Sequence, residues 1–375
     1  MSALRPTPFH LRTAERNARN AWVERNGFTL ARDYGDAEAE ALAARFSVVM
    51  ADISWRWRVM LEGTGAPEAV ARLFTKDARR LPAGSAVKAL WLNDAVAVRG
   101  AGLLARLGDA RFLLAAAAPD RDWIFDAAAR FDVRADDSIS AQGGVALIGP
   151  FAGQVLRAAG LDPALEPLAF RTDDWRGLSV TLSRWGEHGG YEVWCEAEDA
   201  PIVWDRLFKA GAASGIRTAG LAAMDLLDLE RGVARPGRDY RPASDDHGAV
   251  PHPASLSLER LIDETHLDFN GRAAWLATRA KVGTSLKGLV FDSEIPAPHS
   301  AVMKGGRVVG RTFSSVYSPA LRRAIALAQL DERAHAPGPS LFVTLPMDAE
   351  APFERHANVH VQDLPFLPNP DPISP

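Results

Sequence analysis

The chain has 375 residues, 47% of them hydrophobic and 24% charged, with a formal net charge of -4. That length exceeds one compact core, so two or three domains are expected. The acidic balance excludes a generally basic nucleic-acid binder, and any attraction to anions has to be local. A single cysteine, Cys195, excludes an intrachain disulfide and a cysteine-based metal site, and it suits a reducing compartment. The N-terminal stretch "MSALRPTPFHLRTAERN" has no apolar run of signal-peptide length, and no window approaches the roughly 20 apolar residues of a membrane helix. A soluble cytoplasmic protein with a small-molecule substrate, and neither nucleic acid nor membrane as partner, is the expectation. The 10 tryptophans favour a site that stacks flat molecules.

In chain order, "YGDAEAEALAARFSVVMADIS" begins as an Ala/Glu-rich helix and ends in a short strand. "WRWRVMLEG" alternates as a half-buried strand does. "GAPEAVARLFTKDARRL" places Pro67 in the first helical turn, with Val70, Leu73 and Phe74 on its apolar face. "AVKALWLND" and "AVAVRGAGLLARLGDARFLLAAA" read as a strand and a hairpin, and "PDRDWIFDAAARF" as a helix. A second round of the same α+β plan follows. "GGVALIGPFAGQVLRAAGL" gives strand, glycine turn and helix, and residues 177–215 give a hairpin and a helix. "GLAAMDLLDLERG" is a buried helix. Residues 236–256, rich in Pro, Gly, Asp and His, form a long irregular loop of the kind that often carries function. From 286, short strands between glycine turns predict a β-barrel, followed by a proline-rich extended tail. The expected domains are 1–285, in two α+β subdomains of about 1–140 and 141–285, and 286–375.

In the strand "GGYEVWC", Glu192 stands between Tyr191 and Val193 in an otherwise apolar run. A carboxylate there either faces water, pairs with Arg184, or waits for a ligand offering adjacent N–H donors.

Several segments together resemble the glycine-cleavage T-protein (aminomethyltransferase) family. They are "MADISWRWRVMLEG", "GGYEVWCEAEDAPIVWDRLFKAG", "AGLAAMDLLDLERG", "FNGRAAWLA" and "GGRVVGRTFSSVYSPALRRAIALAQLD", in family order. The resemblance implies a T-protein-like fold of three subdomains around a central folate cavity, with tetrahydrofolate as cofactor. It implies that Glu192 accepts hydrogen bonds from the pterin ring, with Tyr191, Trp185 and Tyr317 as further cofactor-side residues.

The chain also departs from the family pattern. The hairpin aspartates that the family uses near folate N5 fall on Gly100 and Ala101 of "VAVRGAGLL". Arg99 adjoins that vacancy and Asp94 is the nearest carboxylate in sequence. A guanidinium is no general base near neutral pH, but it can hold an oxyanion. Trp55 and Arg56 replace the histidine and methionine of the family's "VSHMG", and "LAAAAPD" replaces its asparagine-bearing segment. Trp55, Trp57 and Trp91 are the substrate-binding candidates. Glu192, Arg99, Asp94, His247 and His252 are the catalytic candidates, the histidines because they titrate near neutral pH. No metal is expected, the "DDH" run at 245–247 being a weak ligand signal.

Three functions follow. The first is removal of a one-carbon unit from a small aromatic substrate, lignin-derived in type, with transfer to tetrahydrofolate. The second is a folate-independent C–C lyase that releases formaldehyde from a hydroxymethyl aromatic. The third is a non-catalytic folate-binding paralogue.

Overall fold

The computed structural model describes residues 4–185, 190–243, 251–292, 294–335, 340–345 and 355–368. The chain divides into two compact units. One comprises Met1–Ala89, Ala101–Leu227 and Asn369–Pro375, the other Leu90–Gly100 and Asp228–Pro368.

The first unit opens with β1 (Arg5–Pro6), α1 (His10–Arg16), β2 (Trp22–Arg25), β3 (Phe28–Ala31) and α2 (Ala37–Phe46). Next come β4 (Val49–Asp52), β5 (Trp57–Glu62), α3 (Ala66–Leu73) and the hairpin β6 (Ser85–Leu92) and β7 (Val98–Gly108). The tip of that hairpin, Leu90–Gly100, counts with the second unit. β8 (Arg111–Ala116), α4 (Arg121–Ala128) and β9 (Arg134–Asp136) complete the first round. The second round is β10 (Gly143–Ile148), α5 (Ala152–Ala159), β11 (Phe170–Asp174), β12 (Ser179–Ser183) and β13 (Tyr191–Cys195). α6 (Ala200–Ala210), β14 (Arg217–Ala219) and α7 (Leu221–Glu230) close it.

Local chemistry accounts for these boundaries. Asp36 caps α2 by accepting from the N–H groups of Glu38 and Ala39. Pro67 sits in the first turn of α3, where its missing N–H is harmless. α5 ends on Gly160 at φ 86°, a left-handed conformation that suits glycine.

The two rounds share strands. β4 of the first round lies in a six-stranded sheet of order β11-β12-β13-β10-β4-β14, and the other sheet runs β6-β7-β8-β5-β9. The break expected near 140/141 therefore crosses a continuous sheet. One face of the six-stranded sheet, carrying Val145, Leu147, Val180, Leu182 and Val193, packs on Val155 and Leu156 of α5 and on Val203, Trp204 and Leu207 of α6. Strand alternation sends Ala146, Ser183, Glu192 and Trp194 to the opposite face.

In the second unit α8 (Arg272–Thr278) precedes β15 (Thr284–Phe291), β16 (Ala301–Lys304), β17 (Arg307–Ser318), β18 (Arg323–Asp331), β19 (Leu341–Leu345) and β20 (Arg355–Gln362). These six strands close a barrel of order β15-β18-β17-β16-β19-β20. It starts at Thr284, beside the 285/286 boundary expected from sequence. Its core is apolar, with Leu289, Phe291, Val302, Leu330 and Val343 among its buried residues. The described part of the proline-rich tail packs down. Phe366 is 5% exposed and lies so close to Gly288 that a Cβ there would come within 2.6 Å of its ring. The irregular loop is also anchored where it is described. Val98 N–H donates to the Pro251 carbonyl, and Ala243 N–H to that of Val98. No helix among the described residues is long and apolar enough to cross a membrane.

Candidate active site

The segment joining β4 to β5 places the site. Asp52 accepts from the Ser54 hydroxyl at 2.7 Å and the Ser54 N–H at 3.0 Å, a local turn that redirects the chain. The Thr7 hydroxyl donates to its other oxygen at 2.6 Å. Burial pushes the Asp52 carboxyl up, against these hydrogen bonds. The Gly144 N–H donates to Ser54 Oγ at 3.1 Å and ties the turn to β10. Trp55, Arg56, Trp57 and Arg58 leave this turn in succession.

Arg56 Nη1 donates to Glu192 Oε1, and the Trp194 indole N–H donates to Oε2 at 3.1 Å. Arg58 lies 4.1 Å over the Trp194 ring and donates to Gln142 Oε1 at 2.8 Å. Gln142 in turn donates to Glu196 at 2.5 Å. Trp194 can lie flat because Gly144 is opposite. A Cβ there would sit 2.5 Å from the indole.

Glu192 therefore faces inward and pairs with Arg56, not with water and not with Arg184. Arg184 donates to the Leu165 carbonyl instead. Burial lowers the Arg58 pKa to about 10, against the opposing pull of Glu192 and Glu196. Two buried guanidiniums thus stand beside the buried carboxylate of Glu192, with the exposed carboxylate of Glu196 at the margin of the cluster.

A cavity of about 360 Å³ opens against this cluster, walled by Trp55, Trp57, Phe28, Arg56, Asn26 and Arg5, with Asp137 at its edge. Asn26 fixes the wall by donating to the carbonyls of Trp55 at 3.0 Å and Ala117 at 2.8 Å. The Trp57 N–H points at Asp137 Oδ2, 3.5 Å away, and Arg121 Nε donates to the same oxygen at 2.9 Å. The wall is aromatic on its sides and carries guanidiniums, a geometry suited to a flat molecule bearing or developing negative charge.

The structure brings Trp55 and Trp57 together on this cavity and joins Glu192 to it through Arg56. Trp185 goes elsewhere. It packs with Leu103, Ala105 and Leu113, edge-on to Phe170, and its N–H has no hydrogen-bond partner among the described residues. Tyr191 lies in the helix-side core, because alternation turns it away from the face of Glu192.

In the second unit, Trp91 is 1% exposed and its indole covers Gly100. A Cβ on Gly100 would lie 2.1 Å from Trp91 Cζ2. The space an acid would need is filled by an indole, so Trp91 is packing at the hairpin and not a wall of the cavity described above. Arg99 is half-buried in the same hairpin, and Asp94 is exposed at its turn, where Asn93 Oδ1 organises the backbone. His252 is a cap: its Nδ1 accepts from the Ala254 N–H and its Nε2 bonds to Thr278 Oγ1, with Trp275 stacked at 5.6 Å. Burial lowers its pKa. Tyr317 is 37% exposed on β17. His247 lies outside the described residues.

Sequence reasoning missed Arg5, Asn26, Phe28 and Asp137, and the roles of Arg56, Arg58 and Trp194. The run "WRWR" at 55–58 was a usable signal, since it gathers two indoles and two guanidiniums in one short stretch. Among the described residues, no group of three or more His, Cys, Asp or Glu is placed to hold a metal.

A three-stranded, six-stranded and five-stranded sheet followed by a closed barrel defines a T-protein architecture. The family model described as the GCVT N-terminal domain matches residues 9–250, and that of the glycine cleavage T-protein C-terminal barrel domain matches residues 285–366. The chain belongs to the glycine-cleavage T-protein family. It is 32% identical over 342 residues to the aminomethyltransferase of Frankia alni, covering 88% of this chain and 91% of that protein. It is 30% identical over 365 residues to the trimethylamine-oxide aldolase of Ruegeria pomeroyi, covering 90% of this chain. The chain spans 45% of that aldolase, less than half its length. The crystal structure of aminomethyltransferase T from Bartonella henselae shares the fold, with a TM-score of 0.84 at 22% identity over 97% of this chain and 98% of that one.

Proposed function

We propose that the protein is an enzyme that removes a one-carbon unit from a small aromatic substrate of the lignin-derived kind and passes it to tetrahydrofolate. The observation that carries this reading is the cavity of about 360 Å³ between Trp55, Trp57 and Phe28, closed on one side by Arg56. That volume is at the low end of small-molecule sites, which run from about 300 to 1,000 Å³, and it suits a single ring.

The chain's own residues have clear tasks in such a reaction. Trp55 and Trp57 hold the ring in plane. When the bond between ring oxygen and methyl carbon breaks, its electron pair stays on oxygen, and Arg56 faces the resulting negative charge. A guanidinium remains charged throughout, so Arg56 stabilises an oxyanion without titrating. Glu192 fixes Arg56 from behind, and Arg58 adds positive potential.

Tetrahydrofolate fits the chain at one point and not at another. Glu192 occupies a strand position with lone pairs beyond those taken by Arg56 and Trp194, and it would hold the pterin. Of the two positions of the family's hairpin acids, Gly100 is closed by Trp91 and Ala101 carries no acid. When bound, the cofactor would supply the nitrogen that accepts the carbon.

That closed position favours a second reading, release of the carbon as free formaldehyde, and the likeness to a protein named as an aldolase supports it. In this reading an acid first protonates the ring carbon that bears the hydroxymethyl group, giving a dienone. A base then takes the hydroxyl proton, the C–C bond breaks, its electron pair restores the aromatic ring as a phenolate, and formaldehyde departs. Asp137 is the carboxylate on the cavity wall. Asp94 at its exposed turn, His252 in its cap and Glu192, buried behind Arg56, are less suited to this than Asp137.

The experiment is incubation with vanillate and, separately, with 4-hydroxybenzyl alcohol, each with and without tetrahydrofolate. Methyl transfer from vanillate that requires folate supports the first reading. Formaldehyde from the alcohol without folate supports the second. Folate binding without turnover marks a non-catalytic paralogue, and neither binding nor turnover with any of the three would overturn all of them.

A further inference from the structure

The first unit holds a second cavity, of about 560 Å³, built from other residues. Three arginines stand in its wall: Arg16 at the end of α1, Arg19 just beyond it, and Arg217 at the start of β14. Among the described residues none of the three guanidiniums has an ion pair or a hydrogen bond. Arg16 instead lies 3.6 Å over the ring of Phe208, which steadies it without neutralising it.

The carboxylates of the wall are committed to the backbone. Asp36 Oδ1 accepts from the N–H groups of Glu38 at 3.0 Å and Ala39 at 3.1 Å. Glu40 accepts from the N–H of Tyr34 at 2.6 Å and that of Gly220 at 2.8 Å. Burial pushes the Glu40 carboxyl up, which lowers its charge at a given pH. The Tyr34 hydroxyl has no hydrogen-bond partner among the described residues, and burial, its main influence, keeps it a protonated donor. The wall thus offers three unpaired cations and a free hydroxyl, while Glu40 and one oxygen of Asp36 are held by backbone N–H groups. With three arginines against Asp36 and Glu40, the wall keeps an excess of positive charge, and on a chain of net charge -4 such an excess at one cavity is a recognition feature.

We infer that this cavity binds a compact polyanion, carrying phosphate or carboxylate groups, through Arg16, Arg19, Arg217 and the Tyr34 hydroxyl. Guanidiniums pair with either anion through two parallel N–H donors, and three of them around one cavity select a ligand with more than one charge. The inference is independent of the chemistry proposed for the tryptophan cavity.

The test is isothermal titration of the full chain at low salt, with inorganic pyrophosphate in one arm and citrate in the other. Saturable binding in either arm is expected, and the tighter arm identifies the phosphate or the carboxylate class. Arg19→Ala combined with Arg217→Ala should weaken that binding by about tenfold or more, two charge-assisted contacts being removed. Both side chains are exposed, and circular dichroism checks that the variant is folded. Arg16→Ala, made separately, should weaken binding too. No saturable heat with either anion, or unchanged affinity in both variants, overturns the inference.

Discussion

Arg56 and Glu192 form a buried ion pair, their side chains 10% and 1% exposed, across 136 residues of chain. Removing one partner breaks a hydrogen-bonded ion pair in a largely buried place. Glu192→Ala should therefore destabilise the protein by about 3–5 kcal/mol, measured by urea unfolding. The double variant with Arg56→Met should be less destabilised than the sum of the two single changes, because the pair acts as one unit. In the folate-dependent reading, tetrahydrofolate affinity is lost with Glu192→Ala as well.

Trp91 and Gly100 make a second such relationship, steric in kind. Restoring an acid by Gly100→Asp should give no gain in folate-dependent turnover. It should lower stability by about 1–3 kcal/mol, because the new side chain meets an indole at 2.1 Å. In a Trp91→Ala background, itself destabilised by the cavity, Gly100→Asp should cost less than it does in the wild type, read from paired thermal melts.

His252 was a catalytic candidate because of its residue type. Its Nδ1 accepts from a backbone N–H and its ring is partly buried, so the neutral form is favoured in the folded protein. With the folded pKa below the unfolded one, its contribution is present above the ordinary histidine value of about 6.5 and is lost as pH falls through the depressed folded value. His252→Ala should weaken the fold by about 1 kcal/mol as a lost cap and soften acid unfolding. Turnover should keep its pH profile. A shifted kcat profile would restore His252 to the catalytic set.

Cys195 lies in the helix-side core at 2% exposure, and burial raises its thiol pKa to about 12. A raised pKa means that its contribution to stability is complete below the unfolded value of about 8.5 and fades only as pH climbs toward 12. At pH 8 the native protein should react with a thiol reagent no faster than it unfolds, while the urea-unfolded chain should react at once.

What the sequence made legible divides along physical lines. The first-turn Pro67 and the glycine-punctuated barrel strands are local signals, and those elements form where they were expected. The alternation of β13 also carried information: Tyr191 and Glu192 are adjacent, so they had to face opposite sides of the sheet. The partner of Glu192 was not legible, because Arg56 reaches it through a turn set by Asp52 and Ser54 and through sheet register. Counting tryptophans did not separate Trp55 and Trp57, on the cavity, from Trp91 and Trp185, which fill space. That distinction depends on which glycine or aliphatic cluster each indole meets. Arg5, Asn26 and Phe28 come from the small N-terminal sheet and carry no motif.

The most direct test of the account is the dissociation constant of vanillate, measured by calorimetry for the wild type and for Trp55→Ala. If the indole wall grips a planar ring, the variant should bind about tenfold more weakly, in line with the roughly 0.5–1.5 kcal/mol of an aromatic pair plus the lost buried area. Equal affinity in the two proteins would contradict it.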